Sequence, residues 1–363
     1  MLIKLKKPGL YILSIAIVLF FICGKTLQAA PSNNDDGDSF NAGEMILGHV
    51  QDFHEWHIAT IDDKHISIPL PIILYDKDQQ KLLMFMSSKF HHGQESYKGF
   101  KLTEDNNIVP VKPGTMEIDK TRSKPLDFSL TKTASGIFIT VILMLFVFIS
   151  IAKRYKKNPN SSPKGLQSLL EPLIQFVRYD IGKASIGEHK YERFMPFLFT
   201  MFFFIFFANL IGLIPFFPGG ANVTGNISIT LTLALITFLS TIFTGNKYYW
   251  KHIFNTPGVP WWLKFPLPLM PLVEILGVVT KPFSLMMRLF ANILAGHIII
   301  LGFISLIFIF GIGSVVVGYG VSILSVAFTV FINFLELLVA FIQAYVFTLL
   351  TALYLGDATQ ETH

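Results

Sequence analysis

Glu274, Lys281, Arg288, Asn292 and His297 lie inside one apolar segment that runs from about Pro271 to Phe310. An Arg at mid-bilayer costs roughly 2.5 to 3.5 kcal/mol even on the mild insertion scales, so ionisable groups in such a segment point to function. Arg288 stays protonated at physiological pH and can act only as a fixed positive charge. Imidazole titrates near neutrality and can pass a proton on. On a helix of about 100° and 1.5 Å per residue, Glu274, Lys281, Ser284, Arg288 and Asn292 form one stripe within about 40° of Arg288. His297 falls about 180° away and about 13.5 Å further along the axis, so it faces a different partner.

A second apolar segment, Val321 to Leu355, carries Glu336, Gln343, Tyr345 and Tyr354. Glu336 and Gln343 are spaced i, i+7 and share a helical face. Between the two segments lies a run with Gly311, Gly313, Gly318 and Gly320, read as an uncharged turn. The segments then run antiparallel. If Gln343 sits level with Arg288, Glu336 and His297 come level within about 3 Å. An acid and an imidazole at one depth could pair, or share a water-filled path. Glu274 lies on the Arg288 stripe near the opposite end.

The run Lys281-Pro-Phe-Ser284-Leu-Met-Met-Arg288-Leu-Phe-Ala-Asn292-Ile-Leu-Ala-Gly296 resembles the signature of subunit a of the F-type ATP synthases. The resemblance covers roughly residues 130 to 360. It implies the static half of a proton turbine, with Arg288 facing the ion-carrying carboxylate of a rotating c-ring and blocking leakage between two half-channels. It also implies that Asn292 and Gln343 position Arg288 or water, and that His297 and Glu336 relay protons in the outer half-channel. In many members of that family the first of these two positions is the carboxylate and the second the histidine, so the pair is exchanged here. Asn209-Leu-Ile-Gly-Leu-Ile-Pro215 resembles the family's Asn-Leu-x-x-Leu-x-Pro element without its frequent carboxylate, leaving Asn209 as the polar candidate of that helix. The implied partners are c-ring subunits, the subunit b stalk, other synthase subunits and lipid.

The elements that must position these groups follow from composition. Of 363 residues, 52% are hydrophobic and 15% charged, where soluble domains carry nearer a quarter charged. The expected fold is an all-α polytopic membrane protein with about five transmembrane helices, a long tilted antiparallel C-terminal hairpin, and a small N-terminal soluble extension with some β structure. The net charge of +5 comes from positives clustered beside apolar segments and does not indicate nucleic acid. Crossings are expected at Ala134–Ala152, Phe194–Phe217 and Asn226–Thr244, followed by the hairpin, with a kink at Pro282. From Lys153 to Arg193 there are nine Lys/Arg and four Asp/Glu, which places that loop in the cytoplasm. By parity, residues 31–130 and 311–320 are outside and the C-terminus is cytoplasmic, in a bacterial inner membrane. Pro257, Pro260, Pro266, Pro268 and Pro271 indicate a re-entrant or surface path before the key helix. No internal repeat favours a stand-alone transporter, and a mere scaffold has no use for Arg288.

The domain division is residues 1–30, 31–130 and 131–363. Met1–Ala30 has a basic start, an apolar run and small residues at its end, the pattern of a secretory signal peptide. In the extension, His65–Tyr75 and Lys81–Ser88 read as two strands joined at Asp76-Lys-Asp78. His54-Glu55-Trp56-His57 is spaced i, i+3 and does not match His-Glu-x-x-His; His49, His54, His57, His91 and His92 could together form a metal site, but are read as surface or packing residues. The single cysteine, Cys23, excludes a disulfide framework. No metal or cofactor is expected, and the lack of a Walker-type loop assigns nucleotide chemistry to partner chains.

Overall fold

The computed structural model describes residues 43, 51–61, 64–103, 106–112, 114–157, 162–214, 219–254, 269–313 and 315–360. The proposed signal segment, His49, Pro215, Trp261, Trp262 and the prolines from 257 to 268 lie outside these residues.

The extension is built from short antiparallel strands. β1 (Glu55–Ile61) pairs with β2 (Lys64–Pro69), and β3 (Pro71–Asp76) pairs with both β4 (Lys81–Met86) and β7 (Leu126–Asp127). A small third sheet joins β5 (Phe100–Leu102) to β6 (Ile108–Pro110). Alternation along β3 buries Ile72 and Leu74 against Leu83, Phe90 and Phe100, the period-2 signature of a half-buried sheet. The expected single strand His65–Tyr75 is two strands. Pro71 lacks the N–H that a continuous ladder needs, and the chain changes partner there. The Asp76–Asp78 turn stands where expected: Asp76 Oδ1 accepts from the backbone N–H groups of Asp78 and Gln79. Asp76 is buried and pairs with Arg122 at 2.8 Å.

Among the described residues, five helices are long and apolar enough to cross a membrane. They are α1 (Lys132–Lys157), α3 (Tyr191–Gly212), α4 (Ile227–Thr244), α6 (Leu269–Gly313) and α7 (Val315–Thr359). Two lesser helices accompany them: α2 (Leu166–Gln175), which continues through a π-helical stretch to Ile186, and α5 (Lys247–Phe254). The Phe-rich α3 is the hub, with Phe202, Phe203, Leu198 and Ile205 fully buried. Its rings meet Phe148 of α1 and Phe341 of α7. Phe176, past the end of α2, packs on Phe341 and Tyr345, so this segment runs along α7. Asn226 caps α4 by accepting from the Ser228 N–H, as its sequence position suggests. The Thr hydroxyls of α4 donate back to carbonyls four residues earlier, as Thr232 to Ser228 at 2.7 Å and Thr241 to Thr237 at 2.9 Å. In an apolar surrounding such back-bonding satisfies the hydroxyl.

One expectation about the hairpin is corrected. The run 311–320 is not an extended turn: α6 continues to Gly313 and α7 begins at Val315. Gly311 and Gly318 serve packing, since a Cβ at 318 would lie 2.8 Å from the Gly311 Cα. Small residues let helix backbones approach closely, and here they do so at the hairpin apex. The helix α6 is continuous through Pro282.

Candidate functional site

The antiparallel pair α6 and α7 sets the depth of every polar group. Phe303 stacks on Phe328 (ring centroids 5.2 Å apart), His297 meets Glu336, and Lys281 sits over the Tyr354 ring at 5.0 Å. Interpolating between the last two pairs puts Arg288 opposite Val346, about three residues from the level of Gln343.

At the end nearer the apex, His297 Nδ1 lies 3.6 Å from Glu336 Oε1, with side-chain exposures of 20% and 10%. A Cβ at position 296 would overlap the Glu336 carboxylate, so Gly296 makes room for it. His297 Nδ1 and both Glu336 oxygens have no hydrogen-bond partner among the described residues. Unsatisfied polar atoms at such depth are costly, unless water reaches them. A cavity does adjoin them, lined also by Asn292, Asn209, Asn222 and Thr224. Its water-accessible room is about 10 Å³, that of about one water molecule. Asn209 is buried; its Oδ1 accepts from Thr224 Oγ1 at 2.5 Å, and its amide lies 3.4 Å from the Ala340 carbonyl as donor. The second crossing, the loop before the third and the final hairpin thus meet at this one point.

A second cavity lies at the opposite end, lined by Thr237, Thr241, Tyr249, Val278, Lys281, Pro282 and Tyr354 among others. Lys281 Nζ is 3.8 Å from Asp357 Oδ2. Burial, and then the negative charges of Asp357 and Glu274, push the Tyr249 phenol above its ordinary value, which places both acids near that ring. Thr237 and Thr351 hydroxyls join α4 to α7 at 3.4 Å.

Arg288 stands between the two cavities and belongs to neither. It is exposed on the side of the molecule, with Ser284 and Asn292 exposed on the same stripe of α6. It has no ion pair or hydrogen bond among the described residues. Gln343, by contrast, is buried at 5% exposure, and the structure does not bring its amide to Arg288. Of the sequence candidates, His297, Glu336, Asn292 and Asn209 converge; Glu274 belongs to the other end; Arg288 faces outward.

The family model for the ATP synthase A chain matches residues 135–356. The chain belongs to the ATP synthase subunit a family. Its relatives include ATP synthase subunit a of Chloroherpeton thalassium, 41% identical over 281 residues that cover 75% of this chain and 80% of the relative. ATP synthase subunit a 2 of Chlorobaculum tepidum is 43% identical over 265 residues, 71% of each chain. An Anaeromyxobacter ATP synthase subunit a is 40% identical over 244 residues, 64% of this chain and 55% of that one. The family model covers all five candidate crossings, while a domain of unknown function matches residues 45–128 of the extension.

Three participants escaped the sequence reading. Asp357 lies in the last turns of α7, and extending the antiparallel register from His297–Glu336 past Lys281 leads to it. Tyr249 has no signal beyond an aromatic beside Lys247 and Lys251. Thr224 has no periodic pattern that marks it as the partner of Asn209.

Proposed function

We propose that this chain is the static, non-catalytic proton-translocating subunit of an ATP synthase membrane sector. The cavity at His297 and Glu336 forms the outer half-channel, and the cavity at Lys281, Tyr249 and Glu274 the inner one. A proton entering from outside passes to Glu336 and His297, then to the carboxylate of a passing c-ring subunit. After a turn of the ring, the proton leaves by the inner cavity. Arg288 holds the unloaded carboxylate ionised and its fixed charge repels a proton that would cross directly between the cavities. Each proton crossing 100 mV releases about 2.3 kcal/mol, so several per turn drive the rotary work.

The observation that carries this reading is the placement of Arg288. A guanidinium exposed on the side of a membrane helix needs a covering partner that supplies negative charge. Ala291 and Ala295 are exposed on the same face, and small residues permit a partner helix to come close. In this reading the extension lies outside, the C-terminus in the cytoplasm, and the subunit b stalk on another helix face.

The experiment is Arg288→Lys in the intact synthase. A compact ammonium has neither the fork nor the weak hydration of guanidinium. Proton-driven ATP synthesis in inverted vesicles should disappear while the complex still assembles. Coupled synthesis at the normal rate in that variant would overturn the reading.

A further inference from the structure

The extension is joined to the outer end of the membrane domain by more than chain continuity. Asp52 Oδ1 accepts from the Thr133 N–H at 2.9 Å, and the Phe53 carbonyl accepts from the Lys132 N–H at 2.8 Å. Residues from the far end of the extension sequence thus satisfy two of the N–H groups that every helix leaves open at its start. Trp56, two residues beyond His54, is 3% exposed and buried in the hydrophobic cluster of the membrane helices. Its cross-strand neighbour Ile68 packs against the same cluster.

The first turns of α1 bear on the wall of the outer cavity. A Cβ at Gly136 would lie 2.7 Å from Ala221 Cβ and 2.9 Å from Val223 Cγ2. Asn222, Val223 and Thr224 line the cavity, and Thr224 holds Asn209. An unbroken series of contacts therefore runs from Asp52 through α1 to the cavity beside Glu336.

The same junction holds a buried imidazole. His54 is 4% exposed, its Nε2 lies 3.4 Å from Asp127 Oδ2, and neither ring nitrogen has an aligned hydrogen-bond partner among the described residues. Burial raises the Asp127 carboxyl, but the His54 imidazole and the Ser129 hydroxyl and N–H outweigh it and leave the group below its ordinary value. The charged neighbours are Asp127 on β7, Asp52 and Glu55 on the strand segment that carries His54, and Lys132 at the start of α1; Glu55 is engaged by Ser67.

We infer that the extension is a brace for the outer half-channel: Asp52 and the His54–Asp127 pair are positioning residues that fix α1 and, through Ala221 and Val223, the loop wall of the cavity. The buried imidazole, 3.4 Å from the Asp127 carboxylate, ties β7 to the segment that leads into β1.

This inference rests on the outer half-channel assigned above, and the test separates the two. ATP synthesis by the intact complex is measured in inverted vesicles, with assembly checked by blotting. Asp52→Ala should lower the rate about 3- to 10-fold, and Asp52→Asn, which keeps a capping oxygen, should recover most of it. His54→Gln and Asp127→Asn should each lower the rate several-fold without abolishing synthesis. Full rates in Asp52→Ala, His54→Gln and Asp127→Asn would overturn the brace. The companion Arg288→Lys variant reads the half-channel assignment independently: if it is inactive while the Asp52 and His54 variants behave as wild type, only the brace falls.

Discussion

The two ends of the α6–α7 hairpin handle charge in opposite ways. Near the apex, His297 and Glu336 are sheltered, lie 3.6 Å apart, and have oxygens and a ring nitrogen without partners. At the other end, Lys281 and Asp357 are 40% and 55% exposed, lie 3.8 Å apart, and share an aromatic neighbour in Tyr354. The first arrangement is costly in dry surroundings and becomes favourable only when a proton or a water arrives. The second is an ordinary interfacial pair of small net worth. The sheltered pair is left under-satisfied among the described residues, and the boundary pair is paired and wet.

The largest expected effect comes from removing the sheltered acid. Glu336→Ala should lower proton pumping by about 10²-fold, the usual scale for losing a proton-transfer group, while Asp357→Asn should leave it nearly intact. Equal losses in the two variants, measured in vesicles with matched assembly, would erase the contrast.

Exchanging the pair sharpens it. His297→Glu combined with Glu336→His keeps one acid, one imidazole and their approximate separation. The double variant should pump better than either half of the exchange alone. A double variant no better than the worse single would separate the two residues into independent roles.

Gly296→Ala tests the packing that brings Glu336 to His297. The added methyl meets the carboxylate, and overpacking of this kind costs about 1 to 3 kcal/mol. Pumping should fall several-fold, and Glu336→Asp in the same chain, with a shorter arm, should restore part of it. If Gly296→Ala pumps normally, the closeness of Gly296 to Glu336 has no functional weight.

The smallest effect belongs to the exposed pair. Asp357→Asn should change thermal stability by about 0 to 1 kcal/mol, with a loss that shrinks further at high salt. A large, salt-insensitive loss would show that the inner pair is structural and not interfacial.

The crossings were legible because long apolar runs permit little besides helix in a membrane. The depth match of His297 and Glu336 was legible too, since rise per residue converts spacing in an antiparallel hairpin into depth. What failed had non-local causes. Gly311, Gly313, Gly318 and Gly320 look like turn residues in isolation, yet two of them are where backbones touch. The break between β2 and β3 at Pro71 depends on which strand lies alongside. The outward face of Arg288 and the inward face of Gln343 lie within about three residues of depth, and only the packing of α4 and α7 against α6, and of α3 against α7, decides which way each points. The docking of Asp52 on α1 joins residues 81 positions apart, beyond any periodicity.

The proline in α6 has an effect beyond its tolerance by an unbroken helix. Pro282 has no N–H to give, so the carbonyl of Val278 loses the donor that every interior helical carbonyl expects. Val278 and Pro282 both border the inner cavity. The gap in the ladder therefore opens onto the place where a water can fill it, as ordered waters do at prolines in membrane helices. A missing hydrogen atom in the main chain becomes a foothold for solvent beside Lys281.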